Sequence, residues 1–255
     1  MLSTLEPRTT FLPRSCSGSG GFGIVYQAED AAGNDVALKL LRSEIAEDPE
    51  ARSRLLREAD ALQRVQGPRT CAVLDVVVEE QHAYLVMELV AGVNLFAFVE
   101  EQGPLTGPML WTAAAGLCEA LESIQAADVI HRDLKPENVM YGAGGVKVLD
   151  FGISLIRDTP SLTRTGYRPA TRGWISPEIA RPELAGDTGV DTRSDVFNLG
   201  MVVYFAATGQ HPFDPSGDSA EDAVFFRIPL EPPDLSGVEV SLRFAIEQCL
   251  HGMHS

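Results

Sequence analysis

His131-Arg132-Asp133-Leu134-Lys135-Pro136-Glu137-Asn138 sets an acid, an amine and a carboxamide at fixed spacing, and Asp150-Phe151-Gly152 adds a second acid twelve positions after Asn138. Any one of these residues is an ordinary loop polar group. In this order they are the groups that in-line transfer of a phosphoryl group from a Mg-nucleotide to a hydroxyl requires. A second stretch, Gly18-Ser19-Gly20-Gly21-Phe22-Gly23-Ile24-Val25, has glycines where a backbone closing over phosphates would have no room for Cβ atoms. It opens a strand instead of a helix, which argues against a dinucleotide site. Lys39, in Val36-Ala37-Leu38-Lys39, lies inside an apolar strand, where a lysine needs a partner to offset its burial.

These stretches resemble the Gly-rich loop, strand lysine, catalytic loop and metal loop of the eukaryotic-like (Hanks-type) Ser/Thr protein kinases of bacteria. The resemblance runs from about residue 11 to 250. It implies an α+β, bilobal protein-kinase fold, with a small antiparallel-sheet N-lobe carrying one helix and a larger, mainly helical C-lobe. It implies ATP and Mg²⁺ as cofactors. Asp133 would orient the substrate hydroxyl and accept its proton, and Lys135 would neutralise charge on the γ-phosphoryl group. Asn138 and Asp150 would hold Mg²⁺ through hard oxygen ligands. Lys39 would hold the α- and β-phosphates and pair with a helix glutamate. Glu58 is the best candidate, although a surface pairing with Arg54, four residues earlier, also fits its spacing. Gly18, Gly20, Gly21, Phe22 and Gly23 would cover the phosphates and Val25 the adenine. Ala37 and Met140 would sandwich the ring, Met87 would guard the back of its pocket, and Glu88 and Val90 would offer backbone groups. Lys135 resembles the Ser/Thr-specific subgroup, since tyrosine kinases place an Ala-Ala-Arg pattern here.

Elements to position these groups are legible in the periodicity. Ile24–Ala28 and Val36–Leu41 read as strands joined by a turn at Ala32-Gly33-Asn34-Asp35, whereas Pro13-Arg14-Ser15-Cys16 makes a poor first strand. Leu55, Leu56, Ala59, Leu62 and Val65 form an apolar stripe on a helix over Pro49–Val65. Ala72–Val78 and Ala83–Glu88 form a hairpin. Pro108–Ala127 and Asp195–Thr208 read as helices, the second the core of the larger lobe, and short strands at Val139–Tyr141 and Val146–Leu149 flank the catalytic loop. The expected organisation is a disordered terminus at 1–10 and a kinase domain at 11–255, divided into N-lobe 11–87, hinge 88–92 and C-lobe 93–255.

Between Asp150 and Glu178 lies a hydroxyl-rich segment. Thr163-Arg164-Thr165 resembles the activation-loop phosphosites of bacterial kinases, which implies autophosphorylation in trans within a homodimer, the phosphate pairing with Arg132. Thr171 would line the substrate site. Asp195 would brace the catalytic loop, and Phe197 stands where the family usually has Trp. Ser17 stands where leucine is common. Relatives bury the equivalent of Glu178 against an arginine near the end of the domain. No arginine follows Arg243, where the resemblance implies an arginine and one further helix, so the sequence reads either as a fragment of a longer protein, the favoured reading, or as a shortened kinase.

With 36 acidic against 20 basic residues the net charge is −16, which suits a basic peptide substrate and disfavours nucleic acid and anionic lipid as partners. No apolar run reaches the ~20 residues of a membrane span. Scattered cysteines and the lack of a signal-peptide core point to a cytoplasmic chain, or to the cytoplasmic part of a longer one. A nucleotide-binding module without catalysis is the main alternative, opposed by the presence of Lys39, Asp133 and Asp150. A small-molecule phosphotransferase is opposed by Arg132, Lys135 and the hydroxyl-rich segment.

Overall fold

Short runs rich in apolar and β-branched residues, whose successive side chains point to opposite faces, build a five-stranded antiparallel sheet in the order β1-β2-β3-β5-β4. Its strands are β1 (Leu12–Gly20), β2 (Gly23–Glu29), β3 (Asp35–Leu41), β4 (Val73–Val78) and β5 (Ala83–Glu88). This is a computed structural model, and it describes residues 12–20, 23–41, 47–78, 82–150, 173–181, 191–214, 216–217 and 221–251. The expectation that Pro13-Arg14-Ser15-Cys16 is a poor strand is corrected: the run pairs with β2, with register shifts between Pro13 and Ser15 and between Cys16 and Gly18. An edge strand with a single neighbour tolerates proline and absorbs such irregularities as bulges. The β2–β3 turn is held by Asp30, whose Oδ1 accepts the N–H groups of Ala32 (2.9 Å) and Asn34 (2.8 Å).

Helix α1 (Pro49–Arg64) starts where Asp48 caps it, its Oδ1 accepting from the N–H groups of Glu50 (2.8 Å) and Ala51 (3.3 Å). Ala51, Leu55, Leu62 and Val65 are buried, but Leu56, expected on the same stripe, is 53% exposed. One residue on from Leu55 is 100° around the helix, which turns Leu56 off the packed face. These strands and α1 make up the first of two compact units, from residues 12–64 and 71–90; the second takes 65–70, 91–150 and 173–251.

In the second unit a small sheet, β6 (Val93–Asn94), β7 (Val139–Gly142) and β8 (Gly145–Val148), pairs antiparallel in that order. Around it lie α2 (Leu95–Gln102), α3 (Gly107–Gln125), α4 (Pro177–Ala180), α5 (Thr192–Thr208), α6 (Glu221–Arg227) and α7 (Val240–His251). Helix α5 is the core. Phe197, Leu199, Met201, Val202, Tyr204 and Phe205 are all buried, so it is packed on every side, as an all-round apolar helix must be. Gly200 allows α7 to approach: a Cβ there would fall 2.7 Å from that of Cys249.

Beyond α5, His211 ties this core to the chain entering α4. Its Nε2–H donates to the carbonyl of Gly173 (2.7 Å), and its Nδ1 accepts the N–H of Phe213 (3.2 Å). The Trp174 ring lies edge-on to it at 4.7 Å. Desolvation lowers its pKa to about 4, against the opposing pull of the Gly173 carbonyl and Asp214. A histidine whose pKa is depressed on folding contributes stability that is complete above its unfolded value of about 6.5 and is lost as pH falls through about 4. Unfolding free energies at pH 7 and pH 4 should therefore differ by about 2–3 kcal/mol more for the wild type than for His211→Gln, as urea titrations at the two pH values would show.

Candidate active site

The loop that carries Asp133 is anchored by one buried side chain. Asp195, in the first turn of α5 and fully buried, accepts the N–H of His131 at Oδ2 (2.7 Å) and that of Arg132 at Oδ1 (2.8 Å). Arg132 has φ +62°, a left-handed conformation that costs a non-glycine residue about 1–2 kcal/mol. Two hydrogen bonds to a carboxylate, each worth roughly 1.5–3 kcal/mol, outweigh that cost. Burial pushes the Asp195 carboxyl above the usual carboxylate range, opposed by the two N–H bonds and by the charge of Arg132.

Above that anchor the side chains of Asp133, Lys135 and Asn138 are locked together. Asn138 closes a 3₁₀ turn (Pro136–Asn138) and donates through Nδ2 to the carbonyl of Asp133 (2.8 Å) and to its Oδ2 (3.0 Å). The Lys135 Nζ lies 3.3 Å from the same Oδ2. His131, fully buried, donates from Nε2 to the Leu149 carbonyl (2.9 Å) and accepts the Asp133 N–H at Nδ1 (3.3 Å). The Leu149 N–H donates to the Asn138 carbonyl (2.8 Å), so Leu149 is held from both sides immediately before Asp150, which has φ +61°. Met140 lies on β7 opposite Asn94 and Lys147.

In the first unit the register puts a second group of residues on one sheet face. Val25, Lys39 and Leu85 are cross-strand partners, and Ala37 pairs with Met87 two positions along. Lys39 is buried among them. The opposite face carries Ala28, Val36, Leu38, Tyr84 and Val86, a closed apolar cluster. Glu88 is clamped by its neighbours on the chain leading into β4: its N–H donates to the Ala72 carbonyl (3.0 Å), and its own carbonyl accepts from the Cys71 thiol (3.4 Å). Val90 follows β5 and is half-buried. Gly18 and Gly20 belong to β1, and Gly20 pairs with Gly23.

Gly21, Phe22, Thr163, Thr165 and Thr171 lie outside the described residues, as does the side chain of Glu58. Glu178 is buried in α4, and its Oε1 accepts from the Ser194 hydroxyl. Among the described residues no arginine reaches its Oε2. Sequence reasoning gave no role to His131 or Leu149. The histidine stands next to the motif's Arg-Asp pair, which was a usable signal; Leu149 acts only through its backbone, which no side-chain pattern reports. Replacing His131 by Phe strands the Asp133 N–H and the Leu149 carbonyl, and urea unfolding should show a loss of about 1–3 kcal/mol.

The profile of the protein kinase domain matches residues 14–251. The chain is 40% identical over 233 residues to the serine/threonine-protein kinase AfsK of Streptomyces coelicolor, covering 91% of this chain and 28% of that protein. It is 40% identical over 223 residues to the serine/threonine-protein kinase PknB of Mycobacterium tuberculosis, covering 84% and 34%. It thus spans about a third or less of the length of these relatives. The crystal structure of the Mycobacterium tuberculosis PknI kinase domain has the same fold, with TM-score 0.70 and 22% identity over 94% of this chain and 87% of the other. The sheet with its single helix and the mainly helical second unit are accordingly those of a bilobal α+β kinase fold, and the chain belongs to the protein kinase domain family, in its bacterial serine/threonine branch.

Proposed function

We propose that this chain transfers the γ-phosphoryl group of ATP to serine and threonine hydroxyls of proteins, in signalling. The observation that carries this reading is the state of Asp133. Its carboxylate is buried, yet Oδ2 is met by the Lys135 ammonium and the Asn138 amide. Those contacts hold the carboxylate in one orientation, as a group that accepts the proton of an acceptor hydroxyl must be held. Lys135, beside it, carries positive charge to the place where the moving phosphoryl group needs it.

The residues present fit a divalent cation. The Asn138 amide nitrogen is spent on two Asp133 oxygens, which leaves its Oδ1 as the atom available to a ligand. With the Asp150 carboxylate this gives two hard oxygen donors, the set Mg²⁺ takes when phosphates supply much of its remaining coordination. When bound, Mg²⁺ neutralises phosphate oxygens and so stabilises the transferring group. Lys39 is proposed to hold the α- and β-phosphates, with Glu58 as its orienting partner. Val25, Ala37, Met87 and Met140 are assigned to adenine contacts, and Glu88 and Val90 to its backbone recognition.

Control is assigned to Thr163 and Thr165, phosphorylated by a second copy, with Arg132 receiving the phosphate. Thr171 is assigned to the acceptor site. No helix among the described residues is long and apolar enough to cross a membrane. A cytoplasmic setting, protein substrates of basic character, and no nucleic-acid or membrane partner within this segment complete the reading.

The test is transfer of label from γ-labelled ATP with Mg²⁺ to a generic basic protein. Incorporation on serine and threonine is expected, and Asp133→Asn should lower its rate by about 10²–10⁴-fold without loss of ATP-dependent thermal stabilisation. No incorporation by the wild type, with thermal stabilisation by ATP retained, would instead identify a nucleotide-binding module.

A further inference from the structure

Helix α5 holds two things at once. Its first turn fixes the catalytic loop through Asp195 and Glu178 through Ser194. Its far end packs Phe205 edge-on against Trp174 at 5.7 Å, and the loop that follows brings His211 to the Gly173 carbonyl. The stretch Gly173–Ser176 is therefore suspended between two attachments on one rigid helix, the same helix that sets the height of Asp133. Every member of this arrangement lies in the second unit. The first unit, with Lys39 and the Gly-rich strand pair, takes no part in it.

We propose that His211 is a positioning residue for the protein acceptor: through Nε2–H it fixes the Gly173 carbonyl, and with it the Gly173–Ser176 backbone relative to Asp133. Among the described residues this hydrogen bond, at 2.7 Å, is the polar link that holds Gly173, and a glycine has no side chain of its own to restrain it. The imidazole is itself held. Its Nδ1 accepts from Phe213, whose ring stacks on Phe197 of α5 at 6.1 Å, and Trp174 covers its edge. Arg227 of α6 braces the same loop, donating to the Phe213 carbonyl (3.3 Å) and lying 3.4 Å from the Asp214 carboxylate. This inference rests on the kinase reading above, in which the residues just before Gly173 serve the acceptor; it adds a residue that acts on the acceptor and leaves ATP untouched.

Two near-isosteric variants separate the ring's two bonds. Glutamine sets an N–H donor near the place of Nε2, and asparagine sets an acceptor near the place of Nδ1. His211→Asn should raise KM for a serine-containing basic peptide about tenfold, the worth of one hydrogen bond, while KM for ATP stays within about twofold of the wild type. His211→Gln should restore the peptide KM to within about threefold. Hydrogen exchange gives a readout independent of catalysis: the Trp174–Ser176 amides should exchange faster in the Asn variant and not in the Gln variant, with α5 protected in both. Equal peptide KM values for wild type and Asn, parallel rises in both KM values, or lost protection throughout α5 would overturn the proposal. A wild type without any transfer would sink the kinase reading; the amide exchange would then decide the positioning claim by the same pattern.

Discussion

A single buried carboxylate, Asp195, sets the geometry on which the candidate chemistry depends. It stands in the first turn of the most deeply packed helix, where the helix dipole favours an anion and Asp191 caps the turn by accepting the Arg193 N–H at 2.8 Å. Rigidity therefore comes from the core, and position from two hydrogen bonds to consecutive backbone amides. Those bonds hold Arg132 left-handed, which reverses the chain direction between His131 and Asp133. Without the reversal, Asp133 could not face Asn138 and Lys135 while the His131 ring reached Leu149.

From that point order propagates by backbone as much as by side chains. His131 and Asn138 grip Leu149 from opposite sides, so both proposed metal ligands, Asn138 and Asp150, are registered to one residue. The design differs in the first unit. There the strand register alone gathers Val25, Ala37, Lys39, Leu85 and Met87 on one face, while the apolar cluster of the other face gives the sheet its stability. A one-residue slip would move Lys39 into that cluster, where its charge would have no water and no counter-ion.

Much of this was legible in the sequence because spacing is geometry. Short apolar runs bounded by turn signals located β2, β3 and β5, and the spacing around Asp133 drew attention to the loop that Asp195 anchors. Failures came where tertiary context overrides local preference. Pro13 and its neighbours look unlike a strand, yet pairing with β2 makes them one; Leu56 looks like core until its angle around α1 is considered. The Glu178–Ser194 contact was hidden because the sequence resemblance directs attention to an arginine, whereas the structure places a serine hydroxyl on the carboxylate. His211 gave no signal either, since its partner is a backbone carbonyl 38 residues away.

The most direct test of the account is to remove the Asp195 carboxylate and follow the loop and the chemistry together. Asp195→Ala and Asp195→Asn would be compared with the wild type by amide exchange at His131 and Arg132 and by single-turnover phosphoryl transfer. Faster exchange at both amides, a fall in the transfer rate of about 10²-fold for Ala, a smaller fall for Asn, and ATP affinity within about threefold are the expected results. Transfer by Asp195→Ala at the wild-type rate, with the two amides as protected as before, would show that the catalytic loop holds its geometry without this anchor.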